Sequence, residues 1–189
     1  MSAYGSLAVS YDRLTGDVPY GEILAFVQTL LTERGATPRS VLDLACGTGS
    51  MSVLLAQAGY RVTGADMSEE MLTVAYDKAV ALPDNRPFFV CQNMERLCLP
   101  EPVDWVLCCL DSINYVTSPK KLARAFRRVL TFLMPGGLFL FDINTPQKLR
   151  GLDGQMFLDE SEDAYCVWRA DWSERRRICT YGMDIFRLE

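Results

Sequence analysis

Apolar residues along the chain fall into two alternating kinds of run. Continuous stretches occupy residues 41–45, 61–65, 87–91, 103–110 and 138–143. Between them, apolar positions return every third or fourth residue: Ile23, Phe26, Val27 and Leu30; Met51, Leu54, Leu55 and Ala58; Met71, Leu72, Ala75 and Ala79; Leu122, Phe126, Val129, Leu130 and Leu133. The first kind suits strands buried on both faces of a parallel sheet, and the second suits helices that cover such a sheet. Their alternation predicts an α/β fold. Pro19, Ser68 with Glu69 and Glu70, and Ser118-Pro119 open helices, while Gly35 and Gly59 close them. At the ends the pattern changes. Tyr4, Leu7, Ala8, Tyr11 and Leu14 predict a short amphipathic helix over 3–14, and residues 151–163 read as an acidic loop. Residues 165–172 and 178–186 flank Ser173-Glu174-Arg175-Arg176 and predict an antiparallel hairpin. Lys120, Lys121, Arg124, Arg127 and Arg128 lie on the outer side of one helix and read as a solvated face.

The first continuous run carries the candidate chemistry. It reads Val-Leu-Asp-Leu-Ala-Cys-Gly-Thr-Gly-Ser over residues 41–50. A carboxylate inside a buried strand is costly, so Asp43 points to more than packing. Gly47 and Gly49 allow a tight turn and close approach of backbone to a ligand. Ser50 then starts a helix, giving the strand–turn–helix arrangement of a nucleotide-type site. Asp66 ends the second run about 17 residues later, where an acid can accept from both hydroxyls of a ribose. Position 52 is Ser, where a dinucleotide-binding turn needs a third glycine.

Residues 41–49 closely resemble the first motif of class I S-adenosylmethionine-dependent methyltransferases. Asp66 and Pro135-Gly136-Gly137 extend the resemblance over roughly residues 4–150. It implies a Rossmann-like doubly wound sheet with strand order 3-2-1-4-5, here with an extra C-terminal antiparallel hairpin and without that family's last strand pair. It also implies a single domain over 1–189: a helical lid (1–35), a cofactor-binding core (40–144) and a hairpin segment (151–189). The implied cofactor is S-adenosylmethionine, with S-adenosylhomocysteine as product. Asp66 would take the ribose and Met67 would stack on adenine. Asn93 stands where the family usually has Asp for the adenine amino group, and Met94 would meet the purine. Asp43, Ala45, Cys46, Gly47, Gly49, Leu110 and Asp111 complete the implied cofactor set. Tyr11 would cover it from the N-terminal segment, to which Asp12 and Val18-Pro19-Tyr20 also belong. The implied acceptor is a small molecule. If it needs deprotonation, Asp111, Tyr115 and Tyr11 are the candidate catalytic groups.

Composition narrows the remaining classes. A net charge of −5 argues against a general grip on nucleic-acid phosphates. No apolar run reaches the ~18 residues of a membrane span, and the N-terminus lacks a signal-peptide core. With no histidine, hydrolase triads and most zinc sites become poor readings, and no metal is expected. Seven cysteines without a paired C-x-x-C suggest reduced, buried thiols and a cytoplasmic setting. Two rival functions stay open: a nicotinamide-dependent oxidoreductase, and a non-catalytic cofactor-binding or assembly subunit. The fifth strand would form an open edge, which invites pairing. Either the hairpin fills that slot or two chains associate there; the aromatic surface of Trp168, Trp172, Tyr181, Ile185 and Phe186 favours a homodimer through the hairpin or the edge.

Overall fold

The computed structural model describes residues 8–160 and 164–187. Tyr4 and Leu7 of the expected N-terminal helix lie outside them; its described part is α1 (Ala8–Leu14). The centre is a sheet of five parallel strands, β1 (Ser40–Leu44), β2 (Arg61–Asp66), β3 (Phe88–Cys91), β4 (Val103–Cys108) and β5 (Leu133–Phe141), ordered β3-β2-β1-β4-β5. The expected strand order therefore holds. Every residue of β1 is buried, Asp43 among them, as expected of a central strand covered on both faces.

Alternate residues of the central strands face opposite layers. Val41, Trp105 and Leu107 pack against α2 (Tyr20–Glu33) and α3 (Ser50–Gln57). Leu42, Leu44, Val106 and Cys108 meet Phe126 and Val129 of α5 (Pro119–Phe132) on the other side. The helix α4 (Glu69–Val80) buries Met71, Leu72, Ala75 and Ala79, the stripe read from the sequence, and Ser68 caps it by accepting from the Met71 amide. The strand order reverses direction between β1 and β4, so the loops leaving those strands diverge and open a crevice at their carboxyl ends.

Several expectations change. In α2 the buried positions are Leu24, Val27 and Leu31, while Phe26 is exposed, so the apolar stripe lies one residue later than expected. The strand β4 stops at Cys108, because Leu110 and Asp111 both turn left-handed, at φ 56° and 49°. Pro135-Gly136-Gly137 is no separate turn but an irregular excursion within β5, where pairing jumps from Val103–Leu133 to Trp105–Leu138. Gly137 is needed there: a Cβ would sit 2.6 Å from the Asp104 carbonyl oxygen. Arg128 is not a solvated charge; its guanidinium donates to the Leu97 carbonyl and stacks over Phe132.

The largest revision concerns residues 146–160. A short helix α6 (Pro146–Gly151) precedes the stretch expected to be loop (151–163), and within that stretch lies a strand β6 (Met156–Glu160). With β7 (Ala164–Ser173) and β8 (Ile178–Arg187) it makes a second, antiparallel sheet ordered β6-β7-β8. The hairpin does not enter the slot beside β5, which stays at the edge of its own sheet. Of the hairpin's expected aromatic surface, Trp168, Trp172, Tyr181 and Ile185 share one face and only Phe186 lies on the other. Cross-strand register puts Phe157, Asp159, Cys166, Trp168, Ala170, Tyr181, Met183 and Ile185 on a single face. Met183 and Ile185 on that face pack against Ala8, Tyr11 and Met71, while Phe186 points away and is exposed.

Candidate functional site

The carboxyl ends of β1, β2 and β4 converge on a turn of unusual backbone. Ala45, Gly47 and Gly49 all have positive φ, and so do Leu110 and Asp111 across the crevice. Non-glycine residues held there store strain that the surrounding fold must stabilise, and such strain gathers at working sites. The Ala45 and Cys46 amides both donate to the Ala65 carbonyl, which anchors the turn to the end of β2. A Cβ on Gly47 would meet open space, so the backbone there faces a cleft.

Asp43 lies beneath the turn and is buried. Its Oδ2 accepts from Ser52 Oγ at 2.5 Å. The serine that stands where a third glycine was sought thus satisfies this carboxylate. Burial, opposed by the Ser52 hydrogen bond and reinforced by the negative Asp66, pushes the Asp43 carboxyl up to about 6. An acid raised on folding binds more protons folded than unfolded, so stability falls as pH rises from about 3.8 to about 6. The thermal midpoint of ligand-free protein should therefore drop across that window relative to Asp43→Asn. The difference should approach roughly 3 kcal/mol; parallel pH profiles of the two proteins would remove this account.

Asp66 ends β2 with both oxygens engaged: Oδ2 accepts from the Gly47 amide and Oδ1 from the Ser68 amide, each at 2.9 Å. One acid thereby ties the glycine turn to the start of α4, and a carboxylate that accepts two hydrogen bonds has capacity for more. Beside it, Met67 is 70% exposed, an apolar side chain set bare at the rim. Asn93 caps the short turn Met94–Arg96 by accepting from the Glu95 amide at 2.8 Å.

Residues 41–137, just over half of the chain, match the family described as "Methyltransferase domain". The chain belongs to that methyltransferase family. YqeM of Bacillus subtilis, whose own assignment as a methyltransferase is provisional, is 34% identical over 97% of this chain and 72% of its own length. The ubiquinone biosynthesis O-methyltransferase of Pseudomonas aeruginosa is 35% identical over 73% of this chain and 59% of its own length. Among solved structures, an S-adenosylmethionine-dependent methyltransferase from Clostridium acetobutylicum superposes with a TM-score of 0.85 at 28% identity, covering all of this chain and 76% of that one.

In this methyltransferase the N-terminal helix is fastened over the turn by a cluster that sequence reasoning passed over. Asp12 Oδ1 accepts from Thr48 Oγ1 at 2.5 Å and from Ser50 Oγ at 3.2 Å; its Oδ2 lies 2.5 Å from Lys78 Nζ. Lys78 also donates to both hydroxyls. The signal was faint, because Lys78 occupies the last turn of an ordinary amphipathic helix. Tyr11, one residue before the latch, lies within electrostatic reach of Tyr20, Tyr115, Asp111 and Asp12. Burial first, and then those neighbours, push its hydroxyl well above the usual tyrosine range, so it stays a neutral phenol.

Asp111 is positioned by two loops stitched together. Its amide donates to Asp142, and Asn114 and Asn144 exchange hydrogen bonds between the loops after β4 and β5. Burial first, then repulsion from Asp142, push its carboxyl up; Lys148 and a hydrogen bond from Asn144 act against that. Of the seven free thiols, Cys108 and Cys166 are buried, but Cys91 and Cys98 are exposed, so the expectation of uniformly buried cysteines fails. Among the described residues no cluster suited to a metal ion occurs, and no helix is long and apolar enough to cross a membrane.

Proposed function

We propose that the chain transfers a methyl group from S-adenosylmethionine to a small-molecule acceptor lying against Asp111. The observation that carries this reading is the pairing of Asp43 and Asp66 at adjacent strand ends around the glycine turn, where the charge acting on Asp43 is another carboxylate rather than a cation. Such a site suits a nucleoside whose other end is positively charged. When bound, S-adenosylmethionine supplies a methyl group already activated by its positive sulfur.

The chain's part is to hold and orient. Asp66 offers its remaining lone pairs to ribose hydroxyls, and exposed Met67 offers an apolar face to adenine. The Asn93 carbonyl oxygen, one lone pair spent on the Glu95 amide, keeps the other for the adenine amino group, with Met94 beside it. Ala45, Cys46, Gly47 and Gly49 present backbone above Asp43, and Leu110 and Asp111 close the opposite wall. Tyr11 covers the cleft, held there by its neighbour's latch. As a neutral phenol it is a poor proton acceptor, which leaves Asp111, whose basicity is raised, as the better base. Positioning of this kind contributes several kcal/mol to transfer between bound groups, about 7–11 at its limit.

Calorimetry with S-adenosylhomocysteine tests the reading directly. Saturable binding at one site per chain is expected, with no binding of NAD. No heat with S-adenosylhomocysteine, or a preference for NAD, would overturn it in favour of the oxidoreductase or of a site without a nucleoside ligand.

A further inference from the structure

Beside Asp111 lies an open pocket of about 330 Å³ whose lining comes from both sheets. Asp111, Tyr115 and Asn144 reach it from the loops that follow β4 and β5; Phe157, Asp159, Trp168 and Tyr181 reach it from the second sheet. The latter four share one face of that sheet because Phe157 pairs with Trp168, Asp159 follows two residues on, and Tyr181 lies two before Met183, the partner of Trp168. Trp168 Nε1 donates to Asp159 Oδ2 at 2.6 Å, which fixes that carboxylate beside the indole. No hydrogen bond engages the other Asp159 oxygen among the described residues. Among the described residues the lining thus holds four aromatic rings, two carboxylates and an amide, and no cationic side chain.

Resting on the methyl-transfer reading, we propose that the acceptor is a small amine, received as its ammonium ion among Tyr115, Phe157, Trp168 and Tyr181, with Asp159 as its charge partner and Asp111 as the acceptor of its proton. Ring faces carry negative charge density and attract cations, most strongly where water is displaced. Two carboxylates add to that field. A phenolate or carboxylate acceptor would meet repulsion in the same place, and a neutral alcohol would gain nothing from either acid.

An ammonium ion has no lone pair with which to accept a methyl group, so the second acid is needed. The N–H bonding pair returns to nitrogen and the proton passes to the Asp111 carboxylate, giving a neutral amine and a carboxylic acid. The freed lone pair forms the N–C bond as the S–C bond breaks, that bond's electrons staying on sulfur. The product is a methylated ammonium ion, and Asp111 returns its proton to solvent. Burial and Asp142 together raise the affinity of Asp111 for that proton. Lys148 of α6 and the Asn144 hydrogen bond limit the rise, and Tyr11 of α1 and Tyr181 of β8 also lie within electrostatic reach of Asp111. Burial first, and then Cys179 and Asp111, push the Tyr181 hydroxyl up to about 12, so it stays a neutral ring in the wall.

The test is a comparison of benzylamine with its neutral isostere benzyl alcohol and with catechol, read by tryptophan fluorescence on protein saturated with S-adenosylhomocysteine at neutral pH. Benzylamine should bind at least about tenfold more tightly than either. Asp159→Asn keeps an oxygen for Trp168 but removes the charge, and should shrink the preference to about twofold with unchanged affinity for S-adenosylhomocysteine. With S-adenosylmethionine, mass spectrometry should find benzylamine heavier by one methyl replacing hydrogen. Equal or tighter binding of benzyl alcohol or catechol, or an unchanged preference in Asp159→Asn, would overturn the amine assignment and leave methyl transfer standing. Failure to bind S-adenosylhomocysteine would instead sink the methyl-transfer reading itself.

Discussion

Gly49→Ala will lower the stability of the fold by about 2–5 kcal/mol, combining the left-handed backbone cost of about 1–2 with overpacking of about 1–3. Gly49 has φ 75° and precedes the first turn of α3. Its missing side chain is the space occupied by α4: an added Cβ would lie 2.8 Å from the Ala75 Cβ and 3.1 Å from the Phe89 ring. Neither neighbour can retreat easily, because Ala75 is wholly buried and Phe89 nearly so. The two parts of the cost separate in a double-mutant cycle. Ala75→Gly removes the facing methyl, so it should recover the packing part, about 1–3 kcal/mol, but leave the backbone part. Urea midpoints of the four proteins measure both. A Gly49→Ala protein as stable as the parent, or an Ala75→Gly change that adds independently, would show that the turn yields where the structure says it is clamped.

The second large effect is on binding. Asp66→Ala should weaken S-adenosylhomocysteine at least about tenfold, because hydrogen bonds to a charged acceptor contribute about 1.5–3 kcal/mol each. The same oxygens hold the Gly47 and Ser68 amides, so the variant also loosens the turn and the cap of α4. Asp66→Asn divides these roles: it keeps one carbonyl oxygen and should fall between parent and alanine variant. Calorimetry gives the affinities, and thermal unfolding without ligand gives the cost to the fold. If Asp66→Ala binds within about twofold of the parent, the ribose contact does not exist, whatever happens to stability.

Residues whose environment is set by neighbours in sequence could be read from it. The strand–turn–helix of 41–50, the buried stripe of α4 and its Ser68 cap follow from local periodicity and local hydrogen bonding. Ser52 marks the boundary of that legibility. Its identity argued against a dinucleotide turn, but its bond to Asp43 required the helix to be folded back over the strand.

The errors cluster where the deciding partner is distant. Asp12 meets Lys78 from 66 positions away in sequence, and neither residue is unusual alone. Residues 156–160 carry exposed Met156 and Leu158 beside Asp159 and Glu160, which composition reads as acidic loop; pairing with β7 makes them a strand. Gly137 lies inside β5 because its backbone meets the Asp104 carbonyl, a contact invisible in Pro-Gly-Gly. The burial of β1 and the turn it feeds were determined by the sequence by itself, since Val41, Leu42 and Leu44, on both sides of Asp43, give the strand only one low-energy place in a three-layer domain. The cavity beside Asp111 was decided by tertiary structure alone. Its walls come from two sheets joined through Met183, Ile185 and α1, and which face of β6-β7-β8 turns inward depends on register, not on any residue's own preference.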